Sequence, residues 1–447
     1  MTTQVWCESA FVGGRPQLRV LIDIVDGRFA SISVGAEPGD ALRLGGFTMP
    51  GLANAHSHAF HRALRSRTQA DRGTFWTWRA LMYRAAGRLE PDSYCRLARA
   101  VFAEMALAGV SCVGEFHYLH HQLDGKQYSD PNEMGVALLA AADDVGIRIT
   151  LLDTLYLCGG LGPDGYTDPF GVQRRFSDRT AGAWIDRVNR LPTGNTHRVG
   201  AAIHSVRAVD PRSMRFVADW TASQQAPLHA HVSEQVGENE ACRAHHGEPP
   251  IGLIAESGAL TKRFSAVHAT HLTDLDIEHL AAADATVVMC PTTERDLGDG
   301  IGPTAQFADA RVAMALGSDS HAVIDLFEEA RAVELDERLR RHERGIHPAA
   351  ALLAMATVNG HRSLGWDDAG TIAVGNRADL TTIRLDSVRT AGTNPDTAVE
   401  AAIFAATMGD VTDVHVDGRH IVAAGIHATI DIAAELDASI KELMDDD

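Results

Sequence analysis

Apolar and polar positions alternate in two different ways along the chain, and the two patterns divide it. Residues 1–48 read as short strands broken by turns. LRVLIDIVDGRFASISV holds an apolar run, the pair Asp26-Gly27 and a second run, which predicts a β-hairpin. The same style returns over 369–428 in GTIAVGNRADLTTIRL and VTDVHVDGRHIVAAG. Between these ends, over 49–368, apolar runs of strand length alternate with amphipathic helical stretches such as DSYCRLARAVFAEMALAG and DLFEEARAVELDERLRRHE. Eight such runs follow one another: FTMPGLANAH, VSCVGEFHY, IRITLLDTLY, VGAAIHSV, APLHAHV, FSAVHAT, TVVMCP and VAMALGSDS. Eight β–α repeats predict an α/β chain closed into a (β/α)8 TIM-type barrel, and 447 residues leave room for an appendage. An open doubly wound sheet is the competing architecture. No GxGxxG or GxxxxGK[ST] loop follows any run, so that sheet's usual phosphate sites are missing. The two terminal segments, 1–48 and 369–428, predict a small β-sandwich domain. Residues 429–447 read as a C-terminal helix or acidic tail, with KELMDDD solvated.

Composition narrows the class. The formal net charge is −19, which argues against a duplex-binding surface, because neutralising phosphates takes clustered cations. No apolar run reaches 18 residues, so no membrane span is expected. MTTQVWCESAFVGG lacks the basic and apolar regions of a signal peptide. The six cysteines are scattered with no CxxC, which fits free thiols in a reducing, cytoplasmic setting.

The polar residues at the ends of the runs carry the chemistry. In a barrel the site forms where strands end, and six of the eight ends bear a histidine or carboxylate: His56 and His58, Glu115 and His117, His204, His229 and His231, His268, and Asp319. One histidine at a strand end is ordinarily structural; the recurrence around one rim is the signal. Residues i and i+2 of a strand share a face, so His56 and His58 point together and supply half of a tetrahedral metal site. His231 is assigned as the third nitrogen because it lies nearer the strand end than His229, which reads as a core histidine. Glu234 follows in HVSE, within reach of a ligand-bound water. Asp319 follows two small residues in GSDSH, where a carboxylate can approach a cation; the competing role is to cap the helix DLFEEARAVEL.

Lysine usage bears on the metal count. Two-metal barrels of this kind bridge their ions with a carboxylated lysine on a middle strand. Of 40 basic residues here only Lys126, Lys262 and Lys441 are lysines, and none lies in a run. One metal is expected, and three histidines with one aspartate suit Zn²⁺, with Fe²⁺ as the alternative.

PGLANAHSH, HVSE, VHATH, GSDSH and GTIAVGNRADL resemble the amidohydrolase superfamily, in its mononuclear deaminase and chlorohydrolase branch, over nearly the whole chain. SHAFHRAL, FWTWRALMYR, GEFHYLHH, IHSVRAV and LGDG are similar to the formimidoylglutamate deiminases within it. That resemblance implies hydrolysis of N-formimino-L-glutamate, in histidine degradation, to N-formyl-L-glutamate and ammonia. It implies metal ligands His56, His58, His231 and Asp319, acid–base residues Glu234 and His268, and a cytoplasmic homodimer. Asp319, beside the metal, would also accept a proton from the attacking water. Arg79, Tyr118, His204 and Arg207 are the implied substrate contacts. His61 stands where those enzymes carry glutamine; both side chains donate a hydrogen bond, so His61 is placed with the contacts.

The arginines agree with a dicarboxylate substrate, since a planar guanidinium matches a carboxylate with two parallel hydrogen bonds. Arg79 and Arg207 fall in different loops at the barrel mouth, whereas Trp76, Trp78 and Tyr83 serve equally as packing or pocket wall. Three alternatives stand beside this reading. A guanidino acid such as N-guanidino-glutarate would use the same clamp. A purine, pterin or triazine deaminase would need a stacking pocket with few cations. A non-enzymatic relative would have lost ligands, and none of the four is missing.

Overall fold

A computed structural model describes residues 2–69, 72–73 and 75–445. The chain opens with β1 (Thr2–Val12), β2 (Arg15–Val25), β3 (Arg28–Val34) and β4 (Leu42–Pro50). Next come β5 (Leu52–Ser57), β6 (Val110–His117) and β7 (Arg148–Leu155), and then a hairpin of β8 (Gly160–Gly162) and β9 (Gly165–Thr167). The series continues with β10 (His197–Ile203), β11 (Leu228–Val232), β12 (Phe264–His268), β13 (Thr286–Met289) and β14 (Ala313–Leu316). The last strands are β15 (Leu380–Ile383), β16 (Val411–Val416), β17 (Arg419–Ala423) and β18 (Ile426–His427).

Eight parallel strands, β5 to β7 and β10 to β14, form a nearly closed barrel with helices outside it. Every residue of β5, β6, β7, β11, β12 and β13 is buried, because helices cover one face and the barrel interior the other. That double burial is why these segments read as continuous apolar runs rather than as alternation. The ring closes between β5 and the residues after β14. Ser57 bridges to Asp319, the Asp319 N–H donates to His56 O at 3.0 Å, and the His58 N–H donates to Asp319 O at 3.3 Å.

The first apolar run proves to be two strands. FTMP ends β4, which pairs Phe47 with Ile383 in the other sheet, and LANAHS is β5 of the barrel. Gly51 sits at the handover. A Cβ there would fall 2.5 Å from Ser111 Oγ and 2.8 Å from Asp379 Cβ, so only glycine lets the chain pass.

The separate sheet, in the order β18-β17-β16-β15-β4-β1-β2-β3, is built from both ends of the chain. In β2 the buried Val20, Ile22 and Ile24 alternate with outward residues and join Val5, Cys7, Phe29 and Leu380 in a core of their own. Asp26 and Gly27 both have positive φ, the requirement of the tight turn that matches strand twist. Arg148, fully buried at the start of β7, fastens this sheet to the barrel through Asp379 (Nη1–Oδ1 2.8 Å) and Asp417 (3.1 Å). Removing either side of such a pair strands a buried charge, at a cost of about 3–5 kcal/mol. The expected solvated tail is in part ordered helix. Ile432–Met444 is helical, Leu443 and Met444 are buried, and Glu435 pairs with Arg99 at 2.9 Å. No helix among the described residues is long and apolar enough to cross a membrane.

Candidate active site

The strand parity of β5 carries His56 and His58 to one point, where they meet His231 from β11 and Asp319 from the loop after β14. All four are buried, and their ligand atoms lie within 4.8 Å of one another. His231 Nε2 is 3.2 Å from His56 Nε2 and 3.3 Å from His58 Nε2. Asp319 Oδ1 is 3.2 Å from His56 Nε2 and 3.4 Å from His58 Nε2. Donors about 2.0–2.1 Å from a tetrahedral zinc lie about 3.3–3.4 Å apart, so these separations fit one such ion.

The outer ring nitrogens agree. His58 Nδ1 donates to Phe116 O and His231 Nδ1 to His204 O, each at 2.9 Å, which turns an Nε2 lone pair toward the centre. Burial pushes His58 down to about 3 and His231 well below its ordinary value, so the imidazoles are neutral, as ligands must be. Burial opposes the charge of Asp319, but the close contact with His56 and the charged His268 hold it well below the usual carboxylate range.

Gly317 permits the approach of Asp319. A Cβ there would lie 2.6 Å from His56 Cβ and 2.8 Å from His56 O. Backbone conformation is unusual around this rim: Ser233, His268, Ala269, Asp319 and His321 all have positive φ. Such residues cost about 1–3 kcal/mol each and gather where a site demands a particular geometry.

Beside the four-donor cluster stands a second layer of charge. His268 Nε2 is 3.9 Å from Asp319 Oδ2 and 4.0 Å from Glu234 Oε1, and its Nδ1 faces Glu294 Oε1 at 3.4 Å. Burial works against the His268 charge, but Glu234, Glu294 and Asp319 outweigh it and push the imidazolium up to about 10. Arg207 has its Nη2 3.5 Å from Glu234 Oε2 and its Nε 3.0 Å from Glu238 Oε2. The guanidinium expected to meet substrate therefore already faces two carboxylates.

One cavity of about 150 Å³ opens onto the cluster, and His58, His231, Glu234, His268 and Asp319 form its floor. The residues expected to touch substrate are in its walls: His61, Arg79, Tyr118, His204 and Arg207. His61 Nε2 lies 2.9 Å from Tyr118 Oη, and the His204 ring packs edge-on to Tyr156 and Tyr118. Arg79, on the helix Phe75–Ala86, stacks over Trp76 at 4.2 Å and near Tyr83 at 5.4 Å. Trp76, Trp78 and Tyr83 line the same cavity, so they are pocket wall. His229 lies outside the cluster and bonds Ser363 O through Nε2. Asp319 caps no helix; Asp325 does, accepting from Phe327 and Glu328 N–H.

Sequence reading missed Glu238 and Glu294. Glu238 lies four residues after Glu234, but Glu234 precedes the helix Val236–His246, so no shared helical face marks the pair. Nothing in PTTERDL distinguishes Glu294 from any surface acid. A second group, His117, His120 and Asp153, also brings its ligand atoms within 4.8 Å. Arg187 already holds both oxygens of Asp153 at 2.8 Å, so a cation occupies that place from within the chain.

Residues 47–421 match the family model described as "Amidohydrolase family". The chain is 36% identical to a formimidoylglutamate deiminase of Pseudomonas aeruginosa over 90% of each protein. It is 29% identical to a 5-methylthioadenosine/S-adenosylhomocysteine deaminase of Moorella thermoacetica, over 89% of this chain and 86% of the other. An amidohydrolase from Brucella melitensis, known by crystal structure, superposes with a TM-score of 0.89 at 31% identity, over 99% of this chain and all of that one. Match length, barrel and donor cluster all agree, and the chain belongs to the amidohydrolase family.

Proposed function

We propose that this protein is a mononuclear, zinc-dependent deiminase that hydrolyses N-formimino-L-glutamate to N-formyl-L-glutamate and ammonia, a step of histidine degradation. The observation that carries the reading is the placement of two guanidinium groups, Arg79 and Arg207, in the walls of a cavity whose floor includes His58, His231 and Asp319 of the four-donor cluster. An amidine bearing two carboxylates matches that arrangement of cations. A purine deaminase would want open aromatic faces, yet Arg79 covers a face of Trp76. The 36% identity to a formimidoylglutamate deiminase supports the same choice.

His56, His58, His231 and Asp319 would hold the ion, and the three-nitrogen, one-oxygen set suits Zn²⁺, with Fe²⁺ the alternative. Zinc bound there would lower the pKa of a coordinated water from 15.7 to about 7. The chain's own groups do the rest. Asp319 has one oxygen against the imidazoles and its other facing His268, so it can accept a proton as the water attacks the amidine carbon. Glu234, between His268 and Arg207, carries a proton to the departing nitrogen, which leaves as ammonia only once protonated. His268, oriented by Glu294, donates a charged hydrogen bond to the developing oxyanion. Tyr118, His61 and His204 shape the wall against which the carboxylate arm lies.

Proton NMR of zinc-loaded protein mixed with N-formimino-L-glutamate tests the reading. The expected products are N-formyl-L-glutamate and one equivalent of ammonium; unchanged substrate would overturn it.

A further inference from the structure

Glu238 sits in the first turn of the helix Val236–His246, with no exposed side-chain surface, behind the cavity wall rather than in it. Its two oxygens have different tasks. Oε1 accepts the Ser233 N–H at 2.9 Å, which ties it to the loop between His231 and Glu234, and Oε2 lies 3.0 Å from Arg207 Nε. The helix N-terminus adds a favourable field for the carboxylate. The inner nitrogen of Arg207 therefore faces a buried carboxylate at close ion-contact distance without a hydrogen bond to it, while its outer Nη2 makes a long hydrogen bond to Glu234 at 3.5 Å. Of these two ion contacts the outer one is the longer, so the outer edge of the guanidinium is the part whose ion partner can change.

We propose that Glu238 is a positioning residue that aims Arg207 into the cavity, so that the arginine's outer edge passes from Glu234 to a carboxylate of the incoming substrate. In this arrangement Glu238 sets the preference for anionic substrates without touching them. Arrival of the carboxylate also releases Glu234 for proton transfer, so that binding of the remote group assists the chemical step. The inference takes its substrate from the deiminase reading, but the glutarate-binding arm of its test does not depend on that reading.

The test uses the zinc-loaded full chain and glutarate, an unreactive dicarboxylate, as the probe in calorimetry. Glu238→Gln preserves the acceptor for Ser233 N–H and removes the charge. Glutarate affinity is expected to fall at least about tenfold, the change produced by about 1.4 kcal/mol. Glu238→Asp should recover part of it. Zinc content should stay at the parent value in both variants, although loss of a buried charge partner lowers the thermal midpoint of Glu238→Gln. A formamidine without carboxylates, N-propylformamidine, should be turned over by Glu238→Gln within about twofold of the parent rate. Unchanged glutarate affinity in Glu238→Gln overturns the proposal. So does a loss of glutarate binding matched by an equal loss of N-propylformamidine turnover, which is what a merely structural residue would give. If the parent binds glutarate in a Glu238-dependent way yet leaves N-formimino-L-glutamate intact, the deiminase reading fails and the positioning role stands.

Discussion

Gly317→Ala separates the geometry of the metal site from its residue content, because it removes no ligand. A Cβ at that position meets His56 Cβ at 2.6 Å, His56 O at 2.8 Å and Cys290 Sγ at 3.0 Å. Carbon atoms rest about 3.5–4.0 Å apart, so β14 and β5 must part by about 1 Å. The seam they share carries the ligands: the Asp319 N–H bonds His56 O at 3.0 Å, and the His58 N–H bonds Asp319 O at 3.3 Å. Metal–ligand distances tolerate only about 0.2 Å, so a 1 Å displacement takes the Asp319 carboxylate out of range. Zinc affinity should fall at least about tenfold, the low end of what loss of a ligand's supporting partner costs. The overpacking itself should cost about 1–3 kcal/mol of stability. Competition with a chromophoric chelator measures the first effect, and thermal unfolding with and without zinc the second. Gly194→Ala is the control, since a Cβ there meets nothing within 4 Å. Parent-like zinc affinity in Gly317→Ala would refute the claim that close β14–β5 contact builds the site.

Further outcomes follow from the same geometry. Elemental analysis of active protein should find one divalent metal per chain, and two tightly held ions would contradict a four-donor cluster that has no lysine among its donors beside a second group already filled by Arg187. Glu234→Gln should keep metal and fold but lose about 10²–10⁴ in kcat, the range of acid–base contributions; near-parent activity would remove Glu234 from the mechanism. Arg79→Met should raise KM for N-formimino-L-glutamate at least about tenfold with zinc content unchanged, since a charged hydrogen bond is worth about 1.5–3 kcal/mol. A KM within about twofold of the parent would take Arg79 out of the clamp.

The barrel was legible because burial on both faces writes parallel strands as largely apolar runs, and because histidines and carboxylates gather toward the ends of those runs that form the mouth. The four-donor cluster was legible for a related reason, since strand parity alone brings His56 and His58 to one side. The division of FTMPGLANAH was less so. Pro50-Gly51 is a breaker signal in the middle of the run, but only the contact of Gly51 with Ser111 and Asp379, distant in sequence, reveals two strands in two sheets. The charges behind the wall were least legible. Glu238 and Glu294 are two of 59 acidic residues, and nothing local marks them as buried partners of Arg207 and His268. Arg207 illustrates the limit: its place in the mouth could be read from IHSVRAV, its engagement with Glu234 and Glu238 could not.

The most direct test is a comparison of kcat/KM for ammonia release by one zinc-loaded preparation, with N-formimino-L-glutamate, N-guanidino-glutarate and S-adenosylhomocysteine as substrates. If Arg79 and Arg207 receive carboxylates and the cluster acts on a linear amidine, N-formimino-L-glutamate should exceed S-adenosylhomocysteine by at least about tenfold, which needs only about 1.4 kcal/mol of differential binding. N-guanidino-glutarate, which fits the same clamp, reports on the group at the reacting carbon alone. A higher value for S-adenosylhomocysteine would contradict the account, because it would mean that the cavity serves a purine ring rather than a linear amidine.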